Sequence, residues 1–170
     1  MTTSTVLGID PGGRSTGLCL IHGRDILAHE TITHDTQNLL PVPRNYLRDV
    51  VERINWMRRF NPVLDPVLAV EDVVRPNWHM NGRAAADPSA LLATAAVLGA
   101  VLAIDSRGRT VLQVRPSGNG SRPLGSYPEE LVSAGERRKS GWQMRIGSGQ
   151  LRHIRSAYDV AIAALREIPA

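Results

Sequence analysis

The 170-residue chain contains one cysteine, Cys19, and one lysine, Lys139, the latter among 20 basic residues. A lone thiol has no partner within the chain, which excludes a disulfide framework and a cysteine-rich zinc site; its apolar surroundings read as core packing. No stretch approaches the roughly 18 uninterrupted apolar residues that a membrane span requires. Nor does the chain open on a basic segment followed by an apolar one, as an export signal does. Repeats and an interdomain linker are equally lacking. The expectation is a soluble, cytoplasmic protein with no membrane partner and one domain over residues 1–170, because this length at 42% hydrophobic content suits a single core and is short for two.

The formal charge of +4 permits an anionic partner without requiring one. Scarcity of lysine makes the positive charge almost wholly guanidinium, whose planar fork suits bidentate contact with phosphate. A GC-rich genome produces the same bias, so the placement of the charges carries more weight than their total.

Residues 6–10 read as a short buried strand, 17–21 as a second after the Pro11-Gly12-Gly13 turn, and 26–32 as a third beyond the polar turn at 22–25. Between 44 and 60, Leu47, Val50, Val51, Ile54 and Met57 recur at helical spacing until Pro62 closes the run. Residues 67–71 form a further buried strand. Asp87-Pro88 suits the N-cap and first turn of a helix to about residue 104, whose nearly all-round apolar surface predicts burial. A fifth strand spans 110–114. Residues 116–150, rich in Gly, Ser, Pro and Arg, read as a long loop with a short helix at 128–134, before an amphipathic helix over 151–167. Three antiparallel strands followed by helix, strand, helix, strand, loop and helix make an α/β protein. This is the order of the RNase H-like fold, a mixed central sheet of about five strands with helices on both faces.

Three acids interrupt this apolar pattern. Asp10 and Glu71 end strands that otherwise hold only apolar residues, and Asp159 breaks the apolar series Ile154, Ala157, Tyr158, Ala161 and Ile162 on the last helix. An ionised carboxylate in such a place needs hydrogen bonds, an arginine or a metal to offset its desolvation. Taken singly, Asp10 could cap the following turn and Asp159 could face solvent. Together, adjacent central strands would set the ends bearing Asp10 and Glu71 side by side. An all-oxygen ligand set suits Mg²⁺, with Mn²⁺ as substitute; two such ions roughly 4 Å apart serve phosphodiester hydrolysis. Asp72 is a further candidate metal ligand, although strand alternation points it away from Glu71, where pairing with an arginine is the alternative.

Val6-Leu7-Gly8-Ile9-Asp10-Pro11-Gly12-Gly13 resembles the opening motif of the RuvC-like Holliday-junction resolvases, a family of the RNase H-like superfamily. Leu68-Ala69-Val70-Glu71 resembles that family's second motif, and Ser156-Ala157-Tyr158-Asp159-Val160-Ala161 its C-terminal helix motif. Sugar kinases and actin-like ATPases open similarly, but those folds need a second domain. The resemblance implies a Mg²⁺-dependent endonuclease acting as a homodimer on four-way or otherwise branched DNA, in recombination or repair. Asp10, Glu71 and Asp159 would be the catalytic metal ligands. One position departs: Ser156 stands where the family carries an acid or histidine. His153, one turn upstream, could reach inward as ligand or proton shuttle, as in phage-type or divergent members.

Two regions are candidates for DNA contact besides Arg14. Arg75, Asn77, Trp78 and Arg83 follow Glu71 in a loop that mixes guanidinium groups with an aromatic able to stack on an unpaired base; packing of Trp78 on the next helix is the alternative. Arg137, Arg138, Lys139, Trp142, Arg145, Arg152 and Arg155 form a denser set with no acid between Glu136 and Asp159. Its glycine-rich surroundings predict a flexible face that orders on DNA. Flap, fork or RNA cleavage by the same fold, and nucleic-acid binding without catalysis, are the competing functions.

Overall fold

The computed structural model describes residues 4–59, 65–74, 88–104 and 111–168. Five strands, β1 (Thr5–Asp10), β2 (Ser15–His22), β3 (Asp25–Thr33), β4 (Val67–Glu71) and β5 (Leu112–Val114), form one mixed sheet in the order β3-β2-β1-β4-β5. β1 runs antiparallel to β2 and parallel to β4, with Ile9 opposite Val70, so the strand-end carboxylates of Asp10 and Glu71 fall level. The helices are α1 (Arg44–Arg59), α2 (Ser89–Leu102), the single-turn α3 (Ala134–Arg137) and α4 (Leu151–Ala164). This is the expected RNase H-like architecture.

Strand alternation divides the apolar residues between two cores. Leu7, Ile9, Leu18, Leu20, Leu68 and Val70 point to the face covered by α1 and α2. Val6, Cys19, Ile21, Ala69 and Val114 point to the opposite face, against Ile154, Ala157 and Ala161 of α4. By the same alternation Asp10 and Glu71 emerge on the α4 side. α4 can lie this close because β1 and β2 carry glycine beneath it: a β-carbon on Gly8 would sit 2.0 Å from the Ala157 carbonyl oxygen, and one on Gly17 2.1 Å from that of His153.

Two expectations about the helices need correction. α2 is apolar nearly all round but buries one face only, through Ala93, Val97, Leu98 and Val101; Leu92 and Leu102 remain 52% and 40% exposed. It forms an outer layer on the sheet, so its composition overstates its burial. The long loop of residues 116–150 is built of short 3₁₀ turns and α3: the short helix expected at 128–134 is a 3₁₀ turn at Glu129–Leu131, and the α-helical turn follows at Ala134–Arg137 behind a capping box between Ser133 and Glu136.

Arg155 is the reason this segment has a fixed path. Expected to meet DNA, it is completely buried, donating to the Leu131 and Ser148 carbonyl oxygens at 2.9 and 3.3 Å and to both oxygens of Glu136 at 3.2 and 3.3 Å. Its position under the segment rules out a phosphate contact. Burial alone would raise the Glu136 carboxyl; the Ser133 amide and hydroxyl, and then Arg155, outweigh it and hold that carboxyl below its ordinary value.

Removing one partner of such a pair leaves the other buried and unmatched. Glu136→Gln should therefore cost about 3–5 kcal/mol of unfolding free energy, far above an ordinary surface change. Urea melts of the two proteins check this.

Candidate active site at the ends of two parallel strands

Asp10 and Glu71 leave the sheet at the point where β1 and β4 part, and the N-terminal half of α4 crosses directly over them. His153 Nδ1 donates to Asp10 Oδ2 at 2.9 Å. That contact fixes the ring's orientation and leaves Nε2 as its second proton site. Asn119 Nδ2 donates to Glu71 Oε1 at 2.7 Å, while Asp10 and Ser156 also lie within hydrogen-bonding reach of Glu71. Burial, then the neighbouring Asp10 charge and a hydrogen bond shared with it, push the Glu71 carboxyl up to about 7, against the opposing pull of Asn119 and Ser156. Two carboxylates held together in this way share a proton or need a cation.

The turn behind Asp10 is held from the α1 side. The Tyr46 hydroxyl donates to the Gly12 carbonyl oxygen at 2.7 Å and is 2.7 Å from Thr16 Oγ1. Burial, and further the Asp10 charge, push Tyr46 up to about 12 despite the Thr16 contact, so it stays a neutral donor. His34 Nε2 donates to the Gly13 carbonyl oxygen at 2.7 Å.

No protein-family model and no curated protein matches the sequence. Among solved structures, Thermus thermophilus RuvC in complex with a Holliday junction substrate superposes with a TM-score of 0.59 at 17% identity, over 96% of this chain and 94% of that one. A second Thermus thermophilus RuvC structure gives a TM-score of 0.54 at 20% identity over the same shares. The chain has the RuvC fold.

Within that fold, Asp10, Glu71, His153 and Ser156 come together as the strand ends and helix spacing imply. Asp159 is hydrogen-bonded instead to Arg122, Gly120 and Tyr127. Its Oδ1 accepts from Arg122 Nε at 3.0 Å and from Arg122 Nη2; its Oδ2 accepts from the Gly120 amide at 2.9 Å and the Tyr127 hydroxyl at 2.7 Å. Asp72 accepts from the Val73 amide at 2.8 Å. No group of three or more His, Cys, Asp or Glu side chains with metal-holding geometry occurs among the described residues. Arg14 is exposed and donates to the Thr36 and Gln37 carbonyl oxygens. Arg137, Arg138, Lys139, Arg145 and Arg152 are exposed, with Arg137 3.6 Å from Glu129, whereas Trp142 is half-buried against the α4-side core. Arg75, Asn77, Trp78 and Arg83 lie outside the described residues, as does Asp87. No helix among the described residues is long and apolar enough to cross a membrane.

Sequence reasoning missed Asn119, Arg122 and Tyr127. Ser-Gly-Asn-Gly reads only as turn chemistry, and nothing in its spacing connects it with Glu71, 48 positions earlier.

The raised Glu71 carboxyl has a signed consequence. As pH rises from about 4.5, the unfolded chain releases the Glu71 proton while the native state keeps it until about 7, so this group lowers stability across that interval and adds no further change above it. Thermal melts in chelator should show the metal-free protein losing stability over this window relative to Glu71→Gln. Parallel curves for the two proteins would refute the assignment.

Proposed function

We propose that the protein is a divalent-metal-dependent endonuclease acting on branched DNA, with the four-way junction as its principal substrate and a homodimer as its working form. The observation that carries this reading is the pairing of Asp10 with Glu71 on adjacent parallel strands, with His153 hydrogen-bonded to Asp10. The junction substrate is suggested by the RuvC complex that shares the fold.

The residues present fit a hard cation. Mg²⁺ is commonly held by one or two carboxylates, with waters and substrate phosphate oxygens completing its shell, and Asp10 and Glu71 supply two carboxylates that share a hydrogen bond. Asp10 and Glu71 would hold the ion, Mg²⁺ or Mn²⁺, which when bound supplies charge neutralisation for the phosphate and a more acidic water. Hydrolysis forms a new P–O bond from water and breaks one to the departing oxygen, so a proton must leave the water and one must reach the leaving group. His153, oriented through Nδ1 by Asp10, has Nε2 available to carry a proton. Ser156 donates to Glu71 where an acid would add a third negative charge. The exposed guanidinium groups at 137, 138, 145 and 152, with Lys139, suit the DNA backbone.

A second reading, a binding protein of the same fold without catalysis, draws on the commitment of Asp159 to Arg122 and on Ser156. Cleavage assays separate the two. With Mg²⁺ and a four-way junction, Asp10→Asn should lower the rate about 10³-fold or more, and His153→Ala about 10²- to 10⁴-fold. Undiminished cleavage by Asp10→Asn would eliminate the nuclease assignment, and preference for flap, fork, duplex or RNA over the junction would redirect the substrate. For binding, replacing one exposed arginine that neutralises a single phosphate, such as Arg145→Ala, should reduce the log–log salt slope by about 0.9.

A further inference from the structure

We infer that Asp159 acts as the fastening of an active-site turn, residues 117–122, which presents Asn119 to Glu71, and that Asp159 is not itself a metal ligand. The inference rests on the reading of Asp10 and Glu71 as the catalytic pair.

A carboxylate offers about four lone-pair sites. All four of those on Asp159 are taken: two by Arg122, one by the Gly120 amide and one by the Tyr127 hydroxyl. Its charge is paired with a guanidinium and its side chain is only 7% exposed. Tyr127 is itself pinned, since its oxygen accepts from the Arg122 amide at 3.3 Å while it donates to Asp159. Recruiting Asp159 to a cation would break this set and leave two buried donors, the Gly120 amide and the Tyr127 hydroxyl, unmatched.

The same contacts define the turn. Gly118 and Gly120 have φ of +75° and +71°, and the Ser121 amide donates to the Gly118 carbonyl oxygen at 3.0 Å. Gly120 rests on α4, where an added β-carbon would lie 2.8 Å from the Arg152 carbonyl oxygen and 3.1 Å from Ser156 Cβ. Asn119 sits between these two glycines. The Ser117 hydroxyl donates to its Oδ1 at 3.3 Å, which leaves the Nδ2 end directed at Glu71 Oε1. One oxygen of Glu71 is thereby held by an amide. Asn119 and Asp159 are thus positioning residues, acting through Glu71.

The test compares Asp159→Asn, Asn119→Ala and the double variant. In metal-free protein, Asp159→Asn should speed hydrogen exchange at the Gly120 amide and shift the Asn119 side-chain amide resonance; no change at either group overturns the inference whether or not the protein cleaves DNA. If Asp159→Asn does not fold, Tyr127→Phe keeps the carboxylate, removes one hydrogen bond to it and should produce the same two changes. In junction cleavage and in Mn²⁺ titration, each single variant should lose roughly 10- to 100-fold, as removal of an outer-shell partner does, and the double should lose no more than the worse single. Multiplying losses, with Asp159→Asn stripping Mn²⁺ affinity further on the Asn119→Ala background, would mark Asp159 as a ligand. Absence of Mn²⁺ binding and cleavage in the unaltered protein refutes the nuclease reading, and leaves the amide signals to decide the fastening.

Discussion

The closeness of α4 to the sheet governs everything that happens at the strand ends. Gly8 on β1 and Gly17 on β2 lie under the helix, and a single β-carbon at either would collide with helix carbonyl oxygens. Packed interiors do not yield smoothly to such an intrusion, because displaced side chains meet others at once. Small residues on both surfaces, Gly8 beneath and Ala157 and Ala161 above, let the helix backbone settle on the strands. Only at that separation does His153 reach Asp10 and Ser156 reach Glu71. The apolar packing and the polar site are therefore one construction.

Four polar residues of α4 do different work according to their angle around the helix axis. His153, Ser156 and Asp159 recur every three residues and drift slowly across one flank. The first two meet the strand-end carboxylates; the third has moved far enough to meet the turn at 117–122. Arg155 lies on another flank, under the segment that runs from Leu131 to Ser148. Each buried charge on the helix has an opposite charge from that segment or the turn before it, Glu136 for Arg155 and Arg122 for Asp159. Pairing across the same interface in both directions fixes the irregular chain between β5 and α4 onto the helix, in spite of its turn-rich composition.

Legibility in the sequence follows the range of the interaction concerned. Strand alternation, the helix at 44–59 and the meeting of Asp10 with Glu71 are set by local periodicity and by strand adjacency, and both can be read from residue order. Arg152 and Arg155 show where periodicity stops being informative. They stand about one turn apart on one helix, so periodicity gives them similar exposure, yet Arg152 is exposed and Arg155 is wholly buried. The difference comes from Leu131, Glu136 and Ser148, brought over the helix by a chain path that no repeat or motif encodes. Asp159 fails in the same way: helical spacing places it in series with His153 and Ser156, and only the three-dimensional course of residues 117–127 reveals the donors that take it.

The charge balance at the strand ends gives these long-range contacts their chemical meaning. Asp10 and Glu71 repel one another in a partly buried setting, and each neighbour supplied to them is a donor: His153 to Asp10, and Asn119 with Ser156 to Glu71. A third carboxylate in the same cluster would deepen the repulsion in the absence of a cation. Placing Asp159 against Arg122 keeps that additional negative charge neutralised, and Ser156 substitutes a neutral donor where an acid would add another. The fold thus retains the two carboxylates that adjacent strands set side by side, and supplies Glu71 with donors, Asn119 and Ser156, that offset only part of the effect of burial and of the Asp10 charge. Affinity for a cation at such a site then depends on how firmly those donors are held, which places control of the site in the turn and in α4 as much as in the two acids.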